Sequence, residues 1–459
     1  MKNLFIPIFL LMLMVQSSFS QEPGEPTRAD IITEDSPFMK ELEKQVSKEK
    51  APQGEEVPVA KSQSSGPKRI PNSYIVLVND AYIAPFANTK AKFSNRESQI
   101  AEAKKHEAAA QKAIRKYATE TLGLSNDEIG EIYTGVTSGF SVKLKGQKSS
   151  ASWLTKTKSQ TNVLDVIQDE EMELAEHHVE SVVDTYHPAV WGQYADYSNT
   201  LVGGCDCTGH NKWAWIIDTG IDLNHPDLNV KTDYGKSFIN GESPEDYRGH
   251  GTHVAGIIAA KNNSFGAKGI AAGAWVVPLK VFPKVGGADY SKVVAALDWV
   301  YTYGHVGDIV NISLGSKISP SAPETAVEKA IKKLAEKGIY VIIAAGNDKI
   351  HASGFHPARV NGFRISTIAA TAKINIPWSI GTHFAAWYSN YGKDPVDYAA
   401  PGTSIYSTYK SGGYAFLTGT SMAAPNFAGA KLCGMKEKKG YKYIKVYPSN
   451  YNLYIVRPN

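Results

Sequence analysis

The 459-residue chain carries 49 Lys and Arg against 45 Asp and Glu, a formal net charge of +4 at pH 7. That mild surplus, with no basic stretch interleaved with aromatics, excludes a nucleic-acid or membrane-surface binder, and the length suggests two or three folded units. Cys205, Cys207 and Cys433 are an odd number, so at most one intrachain disulfide forms and one thiol is left over.

Residues 1–20 read as an export signal. Lys2 supplies the charge, Leu4 to Val15 the apolar core, and Ser17-Ser18-Phe19-Ser20 the small residues of a cleavage site. This core is too short for a bilayer, and no other segment reaches about 18 apolar residues, so a soluble, secreted product is expected. Residues 21–70 are rich in Glu, Lys, Ser, Pro and Gly and cannot bury a core, which predicts a disordered linker.

Residues 71–186 read as a small α+β domain. Ser73 to Val78 is a β-branched and aromatic run and predicts a strand. Glu97 to Leu122 places Ile100, Ala103, His106, Ala110 and Ile114 at helical spacing. Glu131 to Tyr133 and Gly139 to Leu144 predict strands, Val163 to Gln168 a second helix, and Val179 to Val183 a last strand.

Residues 187–459 form the remaining unit. From Trp191-Gly192 onward strands and helices alternate. Trp213 to Ile217 is an apolar run that reads as a buried strand ending at Asp218. Strands are expected at Val276–Phe282, Asp308–Leu314 and Ile339–Ala344, with helices at Ser291–Tyr301 and Ala322–Lys337. This alternation predicts an α/β fold, a parallel sheet flanked by helices on both faces.

Three short motifs punctuate that region: Asp218-Thr219-Gly220, then His250-Gly251-Thr252-His253, then Gly419-Thr420-Ser421-Met422-Ala423. They supply an acid, a base and a hydroxyl nucleophile. A serine is inert at neutral pH unless a histidine takes its proton and a carboxylate orients the histidine. The residues from Gly251 to Ala260 and from Met422 to Ala430 are small enough for tightly packed helices. Pro425 is read as lying in the tolerant first turn of the second of these. His253 is assigned to packing or hydrogen bonding. The set Cys205, Cys207 and His210 has a spacing unlike zinc ribbons and is a poor metal site, and a disulfide to Cys433 stays open.

The order Asp, His, Ser, with Ala344-Ala345-Gly346-Asn347 between base and nucleophile, resembles the subtilisin-like serine proteases. The resemblance implies that Asp218, His250 and Ser421 form a catalytic triad. It also implies that the Asn347 amide and the Ser421 backbone N–H hold the oxyanion. Substrate would add as a strand beside Ser313-Leu314-Gly315, and Gly346 with Gly315 would wall a pocket admitting a large apolar or aromatic side chain. The 71–186 unit resembles the family's propeptide inhibitor domain, which implies self-cleavage, expected between Asp184 and Trp191. No cofactor serves catalysis. A structural calcium is implied at Asp227 and Asn263, with backbone carbonyls of Lys261, Phe265 and Ala267. Polypeptide substrates, the intramolecular prodomain and a monomeric state are the expected partnerships.

The resemblance is clear to about Ala430 and then breaks. Lys431 to Gly440 turns charged, and a Tyr- and Lys-rich tail follows, which reads either as an altered or truncated ending at 431–459 or as a lineage-specific one, and which threatens stability. Asn426 stands where the family usually has histidine. Two functions follow: a secreted, self-processing endopeptidase, or an impaired protease-like protein held by its prodomain as a binding or decoy module. A lipase is excluded, because it requires Gly-x-Ser-x-Gly and a different residue order.

Overall fold

The computed structural model describes residues 68–79, 95–145, 150–175, 178–183, 202–373, 383–434, 443–446 and 451–455. The expected export signal, nearly all of the expected linker and the expected self-cleavage stretch at 184–191 lie outside the described residues.

Strand β1 (Lys68–Val78) begins at the edge of the expected linker and ends in six buried residues. Alternate side chains serve two cores. Tyr74, Val76 and Val78 join an apolar cluster with Ile114, Tyr117 and Trp153. Ile75 and Leu77 face the other way, into a cluster continuous with Tyr290, Val293 and Leu297. Helix α1 (Arg96–Glu120) starts where the Asn95 side chain accepts from the Ser98 N–H. Strands β2 (Ile129–Tyr133) and β3 (Gly139–Lys143), helix α2 (Ser150–Lys158), β4 (Val163–Leu174) and β5 (His178–Val183) follow.

The second helix is therefore misplaced in the sequence reading. Val163 to Gln168 is the start of β4, which pairs antiparallel with β1, Ile167 opposite Ile75 and Val166 opposite Val76. Cross-strand partners override the short helical pattern there, and the helix lies just upstream.

The larger sheet runs through β6 (Cys205–Asp206), β7 (Trp213–Asp218), β8 (Asn229–Val230), β9 (Lys236–Ser237), α3 (His250–Ala259), β10 (Ala271–Ala272) and β11 (Trp275–Lys280). Next come β12 (Ala288–Asp289), α4 (Tyr290–Tyr303), β13 (Ile309–Ile312), β14 (Leu314–Lys317), α5 (Ala326–Lys337), β15 (Tyr340–Ala344) and β16 (Phe355–His356). The last elements are β17 (Ile365–Lys373), β18 (His383–Ala385), β19 (Tyr398–Pro401), β20 (Ile405–Thr408), β21 (Tyr414–Thr418), α6 (Thr420–Leu432), β22 (Tyr443–Val446) and β23 (Tyr451–Ile455).

Strands β19, β17, β15, β13, β7 and β11 lie side by side and parallel, with one apolar cluster on each face of the sheet. That is the expected α/β layering. Helix α5 starts later than expected, at Ala326, because Thr325 and Glu328 form a reciprocal capping box. The tail is partly built in: β22 and β23 form a hairpin, and β23 extends the sheet parallel to β19.

Strand β4 links the two halves. Its start belongs to the β1 sheet, and its end pairs antiparallel with β14 and with β12. Beyond it, β5 pairs with β21.

Candidate active site

Asp218 closes β7 and His250 opens α3, so two neighbouring element ends face each other. His250 Nδ1 lies 2.8 Å from Asp218 Oδ1, and the Thr219 N–H donates to the same oxygen at 2.7 Å. The helix approaches this closely because Gly251 has no side chain: a Cβ there would lie 2.1 Å from the Gly220 carbonyl oxygen. Lys280, the register partner of Asp218, is fully buried and donates from Nζ to the Thr219 carbonyl at 2.7 Å.

Asp246 is a positioning residue that the motifs do not reveal. Its carboxylate accepts from the backbone N–H groups of Arg248, Gly249 and Thr252 and from the hydroxyls of Thr219 and Thr252. One side chain thus ties the start of the His250 helix to the Asp218 turn. His253 packs as expected: its Nε2 lies 3.0 Å from both the Ile405 and Ala415 carbonyls. Burial, opposed by those bonds, pushes its pKa down to about 3, so the ring is neutral.

Ser421 stands in the first turn of α6, fully buried. Its Oγ donates to the Ser313 carbonyl, and Ser313 Oγ donates back to the Ser421 carbonyl, each at 3.2 Å. Pro425 makes the second bond available. It lies inside the helix, beyond the first turn assigned to it from sequence, and its missing N–H leaves the Ser421 carbonyl without a helical partner. Asn426 donates from Nδ2 to the Pro401 and Met422 carbonyls, which gives this unusual residue a packing role.

The cleft holds the chain's own backbone. The Ala175 carbonyl oxygen accepts from the Ser421 N–H at 3.1 Å and from Asn347 Nδ2. The Thr420 N–H donates to Asn347 Oδ1 at 2.9 Å, which turns the amide's donor end toward Ala175. Asn390 braces the same loop, accepting from Asp348 and Ile350 and donating to the Ala345 carbonyl. The Ala175 N–H in turn donates to the Ser313 carbonyl at 3.0 Å, and Leu174 and Glu173 pair with Leu314 and Gly315. Ser313, Leu314 and Gly315 thus line a strand added from this chain itself. That strand is residues 171–175, upstream of the stretch in which the sequence places self-cleavage.

The pocket departs from expectation. The space between Gly315 and Gly346 is taken by the Phe355 ring: a Cβ on Gly315 would lie 2.3 Å from Phe355 Cε1, and one on Gly346 2.8 Å from the same atom. There is no room between these walls for a bulky side chain.

Of the residues implied for calcium, Asp227, Asn263 and the loop to Ala267 lie together, joined by hydrogen bonds. The buried Asp227 carboxylate accepts from Asn263 Nδ2 at 2.8 Å, the Ala267 N–H at 3.0 Å and the Tyr414 hydroxyl at 3.3 Å. Asn263 Oδ1 accepts from the Phe265 N–H, and the Lys261 N–H donates to the Asp227 carbonyl. Burial raises the Asp227 pKa to about 7 against the pull of those bonds. The Asp227 carboxylate and the Asn263 amide oxygen are the side-chain oxygens a hard cation could use there, and it would have to displace the donors now on them. Cys205 and Cys433 form a disulfide and Cys207 is a buried free thiol, so two of the three sulfurs are withdrawn from metal binding.

The parallel sheet thus carries an acid at one strand end, a histidine opening one helix and a serine opening another, the residue types that activation of a hydroxyl nucleophile requires. Residues 215–443 match the family model described as "Subtilase family", and the chain belongs to that family. It is 38% identical over 229 residues to subtilisin NAT of Bacillus subtilis subsp. natto, covering 49% of this chain and 55% of that protein. It is 32% identical over 325 residues to an extracellular serine proteinase of Thermus sp. (strain Rt41A), covering 69% of this chain and 71% of that one. A solved cold-adapted subtilisin-like serine proteinase is 31% identical over 49% of this chain and 74% of its own, with a TM-score of 0.41. The chain spans little more than half the length of the first subtilisins it matches, 55%.

Proposed function

We propose that this chain is a secreted serine endopeptidase, made as a zymogen that cuts its own bond between Ala175 and Glu176. In this reading Ser421 Oγ leaves the Ser313 carbonyl and attacks the Ala175 carbonyl carbon, and its proton passes to His250. Asp218 holds His250 Nδ1–H and stabilises the imidazolium. The carbonyl electrons move onto oxygen, to which the Ser421 N–H and Asn347 Nδ2–H donate hydrogen bonds. Collapse expels the Glu176 amine, which takes the proton from His250. Water then hydrolyses the acyl-enzyme by the same route.

The observation that carries this reading is the Ala175 carbonyl seated between those two donors. The prodomain assignment is supported by the contacts around it. Asp298 accepts the backbone N–H groups of Thr134, Gly135 and Val136, and Arg96 makes a two-bond ion pair with Asp308. Burial of Asp218, His250 and Ser421 under this segment fits an enzyme that is inhibited until the segment leaves. Export is supported by the sequence of residues 1–20, and no described helix is long and apolar enough to cross a membrane. A stabilising calcium at Asp227 belongs to the same proposal.

The test compares the full chain with its Ser421→Ala version by gel and N-terminal sequencing. The expected result is a wild-type product beginning at Glu176 and an uncut variant. Two uncut proteins would refute self-processing and favour a permanently clamped binding module.

A further inference from the structure

We infer that Phe355 closes the primary pocket, so that this protease cuts after small residues and selects its substrates mainly at the fourth position back from the cut. The inference rests on the proposed function and names the substrate class of that same site.

Three observations meet here. First, β16 pairs antiparallel with β14, Phe355 opposite Lys317 and His356 opposite Ser316, which fixes the ring beside the strand that receives substrate. Second, the ring fills the space that both wall glycines leave. Its Cε1 would be 2.3 Å from a Cβ on Gly315 and 2.8 Å from one on Gly346, and Phe355 is itself only 6% exposed. Gly346 has φ +96°, so the wall on that side is set by backbone that a larger residue would strain. Third, the residue seated before the bond is the smallest chiral one, Ala175, and it is 3% exposed. A methyl group is what the closed pocket accommodates; a benzyl group would have to displace the Phe355 ring from a close-packed core.

The burial pattern of the bound segment shows where selection goes instead. Among Glu171 to Ala175 only Met172 and Ala175 are buried, while Glu173 is exposed and Glu171 and Leu174 are half covered. Met172 is fully buried in the cluster that holds Tyr290, Leu314 and Phe355, and it pairs with Ala288 across the cleft. The preferred polypeptide therefore carries a large, flexible apolar side chain three residues before a small residue. The residues between them are free to vary.

The test uses self-cleavage of the full chain and two internally quenched peptides, Met-Glu-Leu-Ala-Glu and Met-Glu-Leu-Phe-Glu, on the matured enzyme. Wild type should cut after Ala175 and prefer the alanine peptide by roughly 100-fold, the upper range for a steric mismatch in a pocket. Ala175→Phe should slow self-cleavage by a similar factor, and adding Phe355→Gly to it should restore most of the rate. The two peptides on wild type decide the matter even if Phe355→Gly folds poorly. Equal or faster cutting of the phenylalanine peptide would overturn the pocket inference alone. A wild type that cuts neither itself nor either peptide would overturn the proposed function, and this inference with it.

Discussion

Replacing Asn347 with alanine removes one of two donors from the Ala175 carbonyl and leaves the Ser421 N–H as the other. The Asn347 side chain is held ready to donate. The Thr420 N–H fixes its oxygen, Thr420 Oγ1 accepts from the neighbouring Gly346 N–H, and Asn390 pins the loop. Because the amide needs no reorientation as charge develops, its loss should cost about 3–4 kcal/mol of barrier stabilisation. That is roughly 150- to 1,000-fold in kcat, with KM changed little. Asn347→Asp should be slower still at neutral pH, since the Thr420 N–H keeps one oxygen in place and the other opposes the oxyanion. Single-turnover self-cleavage and steady-state peptide hydrolysis both report this. A variant that raises KM at unchanged kcat would refute the reasoning, because the amide would then bind the ground state as strongly as the transition state.

Three further outcomes are expected. His253 is neutral in the fold, with its pKa lowered to about 3 from the ordinary histidine value of 6.5. Its contribution to stability is complete above pH 6.5 and is lost as pH falls toward 3, about 5 kcal/mol in all. Urea unfolding of the Ser421→Ala protein at about pH 7.5 and about pH 4.5 should show much of that loss, and His253→Gln should flatten it; an unchanged slope would refute the assignment. Calcium should raise the Tm of Ser421→Ala protein at about pH 8 over the value in chelator, and Asp227→Asn should abolish the response. A Tm indifferent to calcium would eliminate the cation. Asp298→Ala leaves the buried Val136 N–H and the partly buried Thr134 and Gly135 N–H groups without their acceptor, a loss of roughly 1–3 kcal/mol for the buried one and less for the other two. The cut prodomain should therefore dissociate faster, shortening the lag before peptide hydrolysis begins; an unaltered lag would show that this contact does not limit release.

The local code of the chain carried much of this protein. Asp218, His250 and Ser421 were legible because each sits at the end of a strand or the start of a helix, in a motif of small residues spelled out within a few positions. Asn347 was singled out only by the resemblance of Ala344-Ala345-Gly346-Asn347 to the subtilase pattern. The βα alternation declared the parallel sheet, since the buried runs at Trp213–Asp218, Ile309–Ile312 and Tyr340–Ala344 are apolar on both faces. Legibility failed where neighbours distant in sequence decide. Val163 to Gln168 became strand because β1 offered it partners, and β14 separated from β13 because the Ser313 carbonyl serves Ala175 and Ser421 instead of extending one strand.

Asp246 shows the same limit. Four of its five donors lie within 6 positions of it, but the Thr219 hydroxyl that ties it to the Asp218 turn comes from 27 positions away. The C-terminal tail read as a departure from the family that threatens stability. Instead α6 stops at Leu432, a disulfide fastens Cys433 to Cys205, and a hairpin extends the sheet. Pairing among three cysteines is a question of Cα separation, which composition does not contain.

By itself, then, the sequence determined the fold class and, through motifs that resemble the subtilases, singled out Asp218, His250, Ser421 and Asn347, because strand and helix ends and short motifs are written in short-range pattern. Only the tertiary structure shows which backbone segment lies beside Ser421 and that the Phe355 ring stands against Gly315 and Gly346. Both depend on register: β4 against β14 puts Ala175 at Ser421, and β16 against β14 puts the Phe355 ring between Gly315 and Gly346. Register between strands far apart in the chain is set by the packing of whole faces, which no single motif records.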